Sequence, residues 1–242
     1  MYASIIWHYN NDRHFFISYP TIATYDNLPE QRANLMPLVA AMTEEMDKCD
    51  TGECTILGRW HNPGSSSGSF VFEAPNSTAI GSWLQNCITM ATCRVTPVVD
   101  DNMVRKIVFK GEEPSWKATY DMVGHEAPQG YSLYTIDWKI DFAQRSACFA
   151  AFGAITEEQD KADSGHVINM GRYHNIGMGT VFCICAAKSE YDLQAWAYNW
   201  STMCDYCSIQ PVMSDSDLRG MIKSKPNCAL DLIKAKAEIG MT

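Results

Sequence analysis

Twenty consecutive residues of this chain occur twice. Thr43 to Asn62 reads TEEMDKCDTGECTILGRWHN and Thr156 to Asn175 reads TEEQDKADSGHVINMGRYHN, with eleven of the twenty positions identical and no gap. A match of that density means tandem duplication, so any fold must be one unit used twice. The likeness continues more weakly, with Trp83 matching Trp196 and Cys93–Val98 matching Cys207–Val212. Divided between two units, 242 residues give each roughly 100, an ordinary domain size.

The periodicities within a copy set its order of elements. Ala3–Tyr9 alternates and is rich in β-branched and aromatic residues, which predicts a first strand whose counterpart is Ser132–Ile140. The intervening Asn10–Gln31 reads as an arm inserted into copy one, carrying Phe15, Phe16 and Tyr19. A helix follows, from Leu35, Leu38, Val39 and Met42 in copy one and from Cys148, Phe149, Phe152 and Ile155 in copy two. Gly52 and Gly165 close these helices. Second strands are expected over Glu53–His61 and His166–His174, third strands over Ser69–Glu73 and Thr180–Cys185, and second helices from Ser77 and Ser189. Fourth strands over Arg94–Val99 and Ser208–Met213 carry Pro97 and Pro211, which cannot donate to a ladder, so both are expected at edges or strand ends. Val104–Phe109 reads as a further short strand.

The order is β-α-β-β-α-β, which is α+β in class and ferredoxin-like in arrangement. Such a sheet has helices on one face only and needs a cover on the other. The second copy supplies it, giving two ferredoxin-like units packed as an intrachain pseudo-two-fold dimer, barrel-like overall. The expected boundaries are 1–110 for the first repeat with its arm at 10–31, 111–130 for a linker, 131–222 for the second repeat and 223–242 for a tail. In that tail Leu230 and Ile233 mark a weak amphipathic helix.

Composition narrows the partners. Apolar residues make up 46% and charged ones 19%, enough for a packed core. A net charge of −9 argues against a nucleic-acid backbone or an anionic membrane as the main partner. No apolar run reaches the ~18 residues that read as a transmembrane segment. Cys49 aligns with Ala162 and Cys54 with Val167, so the ten cysteines behave as small hydrophobes in a reducing compartment rather than as a disulfide framework.

Chemistry is expected in one place if anywhere. Arg59 and His61, repeated as Arg172 and His174, lie two apart on a strand, so each pair points to one face beside a Gly-rich turn. An anion clamp with a general base is one reading. The other is structural or interfacial, with Trp60 and Tyr173 as neighbours, and it is favoured because no acidic partner is evident beside both copies. Glu44, Glu45 and Asp47, matched by Glu157, Glu158 and Asp160, read as a solvated helix face. No P-loop, G-x-S-x-G or H-E-x-x-H motif is present, so no catalytic set, metal site or cofactor is expected. Phe15, Phe16, Tyr19, Leu230 and Ile233 are the candidates for contacts exchanged with a neighbouring chain.

The pattern G-R-W-H-N-P-G, F-V-F-E-A, W and V-T-P-V over Gly58–Val98 resembles a family of short uncharacterised domains of cyanobacteria and algae with a dimeric α+β-barrel fold. The second copy, Gly171–Val212, departs from it with Ile176 at the turn proline and Gln210 where Thr96 stands. By architecture the tandem pair also resembles the pyrenoid shell proteins of diatoms. That resemblance implies a self-assembling lattice around Rubisco in the chloroplast stroma, supporting CO2 fixation, with the chain itself and a Rubisco-containing condensate as partners. The alternative is a small-molecule-binding or enzymatic α+β barrel with its site between the two sheets.

Overall fold

The computed structural model of the protein describes residues 20–27, 38–39, 41–87, 90–118 and 126–224. The first copy runs β1 (Pro20–Asn27), α1 (Glu44–Thr51), β2 (Thr55–Asn62), β3 (Ser67–Glu73), α2 (Ser77–Gln85), β4 (Ala91–Pro97), β5 (Val99–Asp100) and α3 (Asp101–Val108). The second runs β6 (Ser132–Ile140), α4 (Arg145–Ala154), α5 (Glu157–Ser164), β7 (Ile168–Asn175), β8 (Thr180–Ala187), α6 (Glu190–Trp200), β9 (Cys204–Ser214) and α7 (Asp215–Ser224). The fold is α+β, with two ferredoxin-like units in one chain.

The antiparallel strands follow the order β4-β1-β3-β2-β9-β6-β8-β7-β5, so each unit has the same internal order. The units join twice. β9 pairs with β2 through Trp60–Ser214 and His61–Met213, and β5 pairs with β7 through Val99–His174 and Asp100–Tyr173. Each fourth strand therefore reaches the second strand of the other unit only through the residues at its end, while among the described residues β4 stands at the edge of the sheet order, as its proline predicts. Pro97 ends β4 and Pro211 lies just before the crossing residues of β9, positions where an absent amide proton interrupts a ladder least.

Several expected elements move. The strand of copy one that pairs with β3 and β4 is Pro20–Asn27, inside the stretch read as an inserted arm. Tyr25 pairs with Gly68 as Trp138 pairs with Val181, so β1 holds the place of β6 without any insertion. Ala3–Tyr9, Trp7, Phe15, Phe16, Tyr19, Leu230 and Ile233 lie outside the described residues. Val104–Phe109 is not a strand: Asp100 caps helix α3 by accepting from the Met103 amide at 2.8 Å. The first helix of copy two breaks at Ile155, whose extended backbone precedes a capping box between Thr156 and Gln159. Apolar spacing runs through that break, which is why periodicity alone reads one helix.

The space between the two sheets is packed. Trp60 and Val71 of the first unit meet Tyr173, Phe182 and Ile184 of the second, and all five are buried. Trp60 folds back over its own strand: a Cβ on Gly58 would lie 2.1 Å from the indole, so only glycine fits there. Outside the barrel each sheet is covered by its helices, with Trp83 and Trp196 at equivalent points in the two outer cores. Both indoles donate to equivalent carboxylates, Trp83 to Asp50 at 2.9 Å and Trp196 to Asp163 at 2.8 Å. β8 is sheathed on both faces, and its Cys183 and Cys185 pack as small apolar side chains toward the helices. The nine described cysteines are free thiols. Among the described residues no helix is long and apolar enough to cross a membrane.

Candidate functional site

Strand alternation sends Trp60 into the barrel and turns Arg59 and His61 outward, beneath the helices. There they meet carboxylates from two directions. Asp47, in the first turn of α1, accepts from both terminal nitrogens of Arg59 at 2.9 and 3.1 Å. Asp215, the first residue of α7, accepts from Arg59 at 2.9 and 3.1 Å and from His61 Nε2 at 2.8 Å. The opposite ring nitrogen, Nδ1, lies 2.5 Å from the Tyr25 hydroxyl. Arg219 completes the group, donating to Asp215 at 3.0 Å and to the Val39 carbonyl at 3.1 Å.

The second unit repeats the cluster. Arg172 donates to Asp101 at 2.7 Å and to Asp160 at 2.8 Å, and His174 Nε2 lies 2.6 Å from Asp101. Arg105 plays the part of Arg219, donating to the Phe152 and Ile155 carbonyls at 2.9 and 3.0 Å. In both clusters one acid comes from the other unit: Asp215 follows β9 across to β2, and Asp101 follows β5 across to β7. The acidic partners that the sequence did not reveal are therefore present at both copies. Asp47 and Asp160 also face the arginines rather than a purely solvated surface.

The missed acids had a sequence signal. Asp101-x-x-Val104-Arg105 and Asp215-x-x-Leu218-Arg219 match at the same offset as Pro97 and Pro211. Reading the fourth-strand match three residues beyond Val98 and Val212 would have found both. Tyr25 had no such signal, because Trp138 stands at its place in copy two.

Environment separates the clusters. Asp101, Arg172 and His174 are 0%, 6% and 2% exposed at the side chain, against 28%, 17% and 9% for Asp215, Arg59 and His61. Burial alone would raise both aspartates, but the histidine and arginine donors hold each below the ordinary carboxylate value, so both are ionised. Burial raises the Tyr25 hydroxyl well above the ordinary phenol value and pushes the Cys87 thiol up to about 11.

His174 is held below the ordinary imidazole value chiefly by burial, which, with smaller help from the guanidinium groups of Arg172 and Arg105, outweighs the opposing pull of Asp101. An unfolded chain takes up a proton there as the pH falls below ~6.5, whereas the folded chain does not. Stability should therefore drop between pH 7 and pH 5, and His174→Gln should remove that part of the drop. Urea midpoints of both proteins at the two pH values test this. Equal pH slopes would mean that His174 charges in the folded state.

The clusters differ most in what lies above them. The space over Arg172, among Trp138, Phe149, Phe152, Trp196 and Trp200, is a remnant of about 40 Å³. The equivalent space over Arg59 and His61 is a cavity of about 380 Å³. Its walls include Val39, Met42, Phe70, Trp83 and Met90, with Tyr25 and His61 as polar groups at one side. Three replacements open it: Cys87 stands where Trp200 fills copy two, Gly68 where Val181 does, and Val39 where Phe152 does. Leu35 and Met36, the counterparts of Cys148 and Phe149, lie outside the described residues. The cavity lies between sheet and helices, whereas the space between the two sheets is filled.

A family model described as a domain of unknown function, DUF3303, matches residues 18–112 and 132–226. No curated protein matches the chain in sequence. Among solved structures, the chain is similar to a heme complex of a DypB variant from Rhodococcus jostii RHA1 at 8% identity. That match covers 84% of this chain and 95% of that one, with a TM-score of 0.47. It is also similar to a chlorite dismutase variant from Candidatus Nitrospira defluvii at 14% identity, covering 84% and 94%, with a TM-score of 0.47. Neither is a shell protein, and the expectation of a pyrenoid lattice around Rubisco is overturned by these neighbours. A heme does not fit the residues at the candidate site. Heme iron is held by a histidine, a thiolate, a tyrosine or a Met/His pair, but both His61 nitrogens and the Tyr25 hydroxyl are engaged and burial raises the Cys87 and Cys93 thiols, keeping them protonated.

Proposed function

Because the chain belongs to the DUF3303 family, whose description assigns no activity, we propose a function from its own geometry: the first unit binds a small, largely apolar molecule over Tyr25 and His61. The observation that carries this is the asymmetry of a duplicated site. One polar cluster was copied twice; in unit two aromatic side chains fill the space above it, and in unit one that space is open. The volume of about 380 Å³ lies within the ~300–1,000 Å³ of ligand sites, and apolar walls with a few convergent polar groups are their usual lining. The cluster of unit two serves as a structural tie, since its acid, arginine and histidine are all buried and Asp101 accepts from both Arg172 and His174 Nε2.

Filling the cavity as copy two does should abolish binding. In Cys87→Trp the new indole can donate to Asp50, as Trp200 donates to Asp163 at 2.8 Å. With 4-nitrophenol as probe, equilibrium dialysis should show at least a tenfold weaker complex, while the thermal midpoint stays equal or rises. Unchanged affinity in a folded Cys87→Trp protein would remove this cavity as the binding site.

A further inference from the structure

We infer that Tyr25, His61 and Asp215 form a proton relay that takes the acidic proton of an O–H group, as in a phenol or enol, on the molecule held in the first unit. The inference rests on the binding reading above and goes further, to the chemistry at the polar side of the cavity.

The direction of each hydrogen bond follows from the acceptor at the end of the chain. Asp215 is ionised and receives N–H groups from Arg59 and Arg219, so it can only accept. His61 Nε2, 2.8 Å away, must then carry the proton it donates. In the neutral ring Nδ1 is consequently bare and accepts the Tyr25 hydroxyl proton across 2.5 Å. The hydroxyl hydrogen is thus committed to His61, and the Tyr25 oxygen offers the cavity lone pairs alone. A ligand group that meets it favourably must be a donor.

Room for this arrangement is specific to unit one. The Tyr25 oxygen sits over Gly68, where a Cβ would lie 2.5 Å from that oxygen and 2.5 Å from the Trp60 carbonyl. In unit two valine occupies the Gly68 position and tryptophan the Tyr25 position. An indole N–H cannot accept a proton, and among the described residues His174 Nδ1 has no hydrogen-bond partner. The relay is absent where the cavity is absent.

The step balances within the site. The ligand O–H bond breaks and its proton passes to the Tyr25 oxygen as the Tyr25 proton moves to His61 Nδ1. The ligand becomes its conjugate base, hydrogen-bonded by the Tyr25 hydroxyl, and the imidazolium stays paired with Asp215. No oxidant or other co-reactant is needed, and protonation in reverse regenerates the starting state. The ionisable groups acting on the Tyr25 hydroxyl are Arg59, Asp215, Cys93 and Cys87.

4-Nitrophenol reports the step by its colour. Titrated with the whole chain, the bound probe should ionise about one pH unit or more below the free probe, because an imidazolium forms close to the new anion. Tyr25→Phe should still bind the probe but return its titration to that of the free compound. His61→Gln should do the same, and it serves if the first variant does not fold. A probe bound as the neutral phenol, titrating alike in wild type and Tyr25→Phe, overturns the relay and leaves the binding reading intact. Failure of the wild-type chain to bind the probe removes both.

Discussion

Asp101→Ala is expected to cost about 3–5 kcal/mol of stability, because it strips a buried guanidinium and a buried imidazole of their shared acceptor. Asp101 has no exposure at all, and the side chain of Arg172 is only 6% exposed. Without Asp101 the arginine loses one of its ion-pair partners and keeps Asp160, while His174 Nε2 loses the acceptor 2.6 Å away. The loss is also a loss of connection, since Asp101 belongs to the helix of unit one while its partners belong to the strand of unit two. Asp215→Ala should cost less, as water reaches the 28% exposed carboxylate site and can solvate Arg59. Urea unfolding of both variants tests the order. A cost below ~1 kcal/mol at Asp101 would mean that Arg172 finds another partner, and the cluster would no longer count as a tie between the units.

Trp60→Ala should be similarly severe, at about 3–5 kcal/mol, for a different reason. The indole is fully buried at the meeting of the two sheets, 6.5 Å between ring centres from Phe182 of the other unit. Its strand has glycine at position 58 to admit the ring, so no neighbour is shaped to move into the void. Truncation leaves a hole bounded by both units, and unfolding should stay cooperative across the whole chain. Two separate transitions in the wild-type protein, or a small effect of this substitution, would show that the two sheets do not share one core.

The duplication, the α+β class and the order of elements within a unit were legible in the sequence. They rest on local information: period-two alternation, helical spacing, and the Gly52 and Gly165 terminators that recur at φ 58° in both copies. The Arg59–His61 and Arg172–His174 pairs were legible as candidates for the same reason, because two residues apart on a strand means one face. The first strand of copy one was not. Pro20–Asn27 is less apolar than Ala3–Tyr9, and what makes it the strand is pairing with β3 and β4, a long-range fact.

The tertiary structure alone decided what the polar pairs meet. Asp215 lies 156 residues from Arg59 and Asp101 lies 71 from Arg172, and each reaches its partner only because a fourth strand crosses to the other unit. No local pattern records that crossing. The openness of one copy and the closure of the other also belong to three dimensions. Cys87 and Gly68 are unremarkable in sequence, and they matter because they fall where Trp200 and Val181 fill the matching space. The sequence by itself determined that there are two units and which faces they present; packing between those units determined that one polar cluster is sealed as a tie and the other stands beside a cavity.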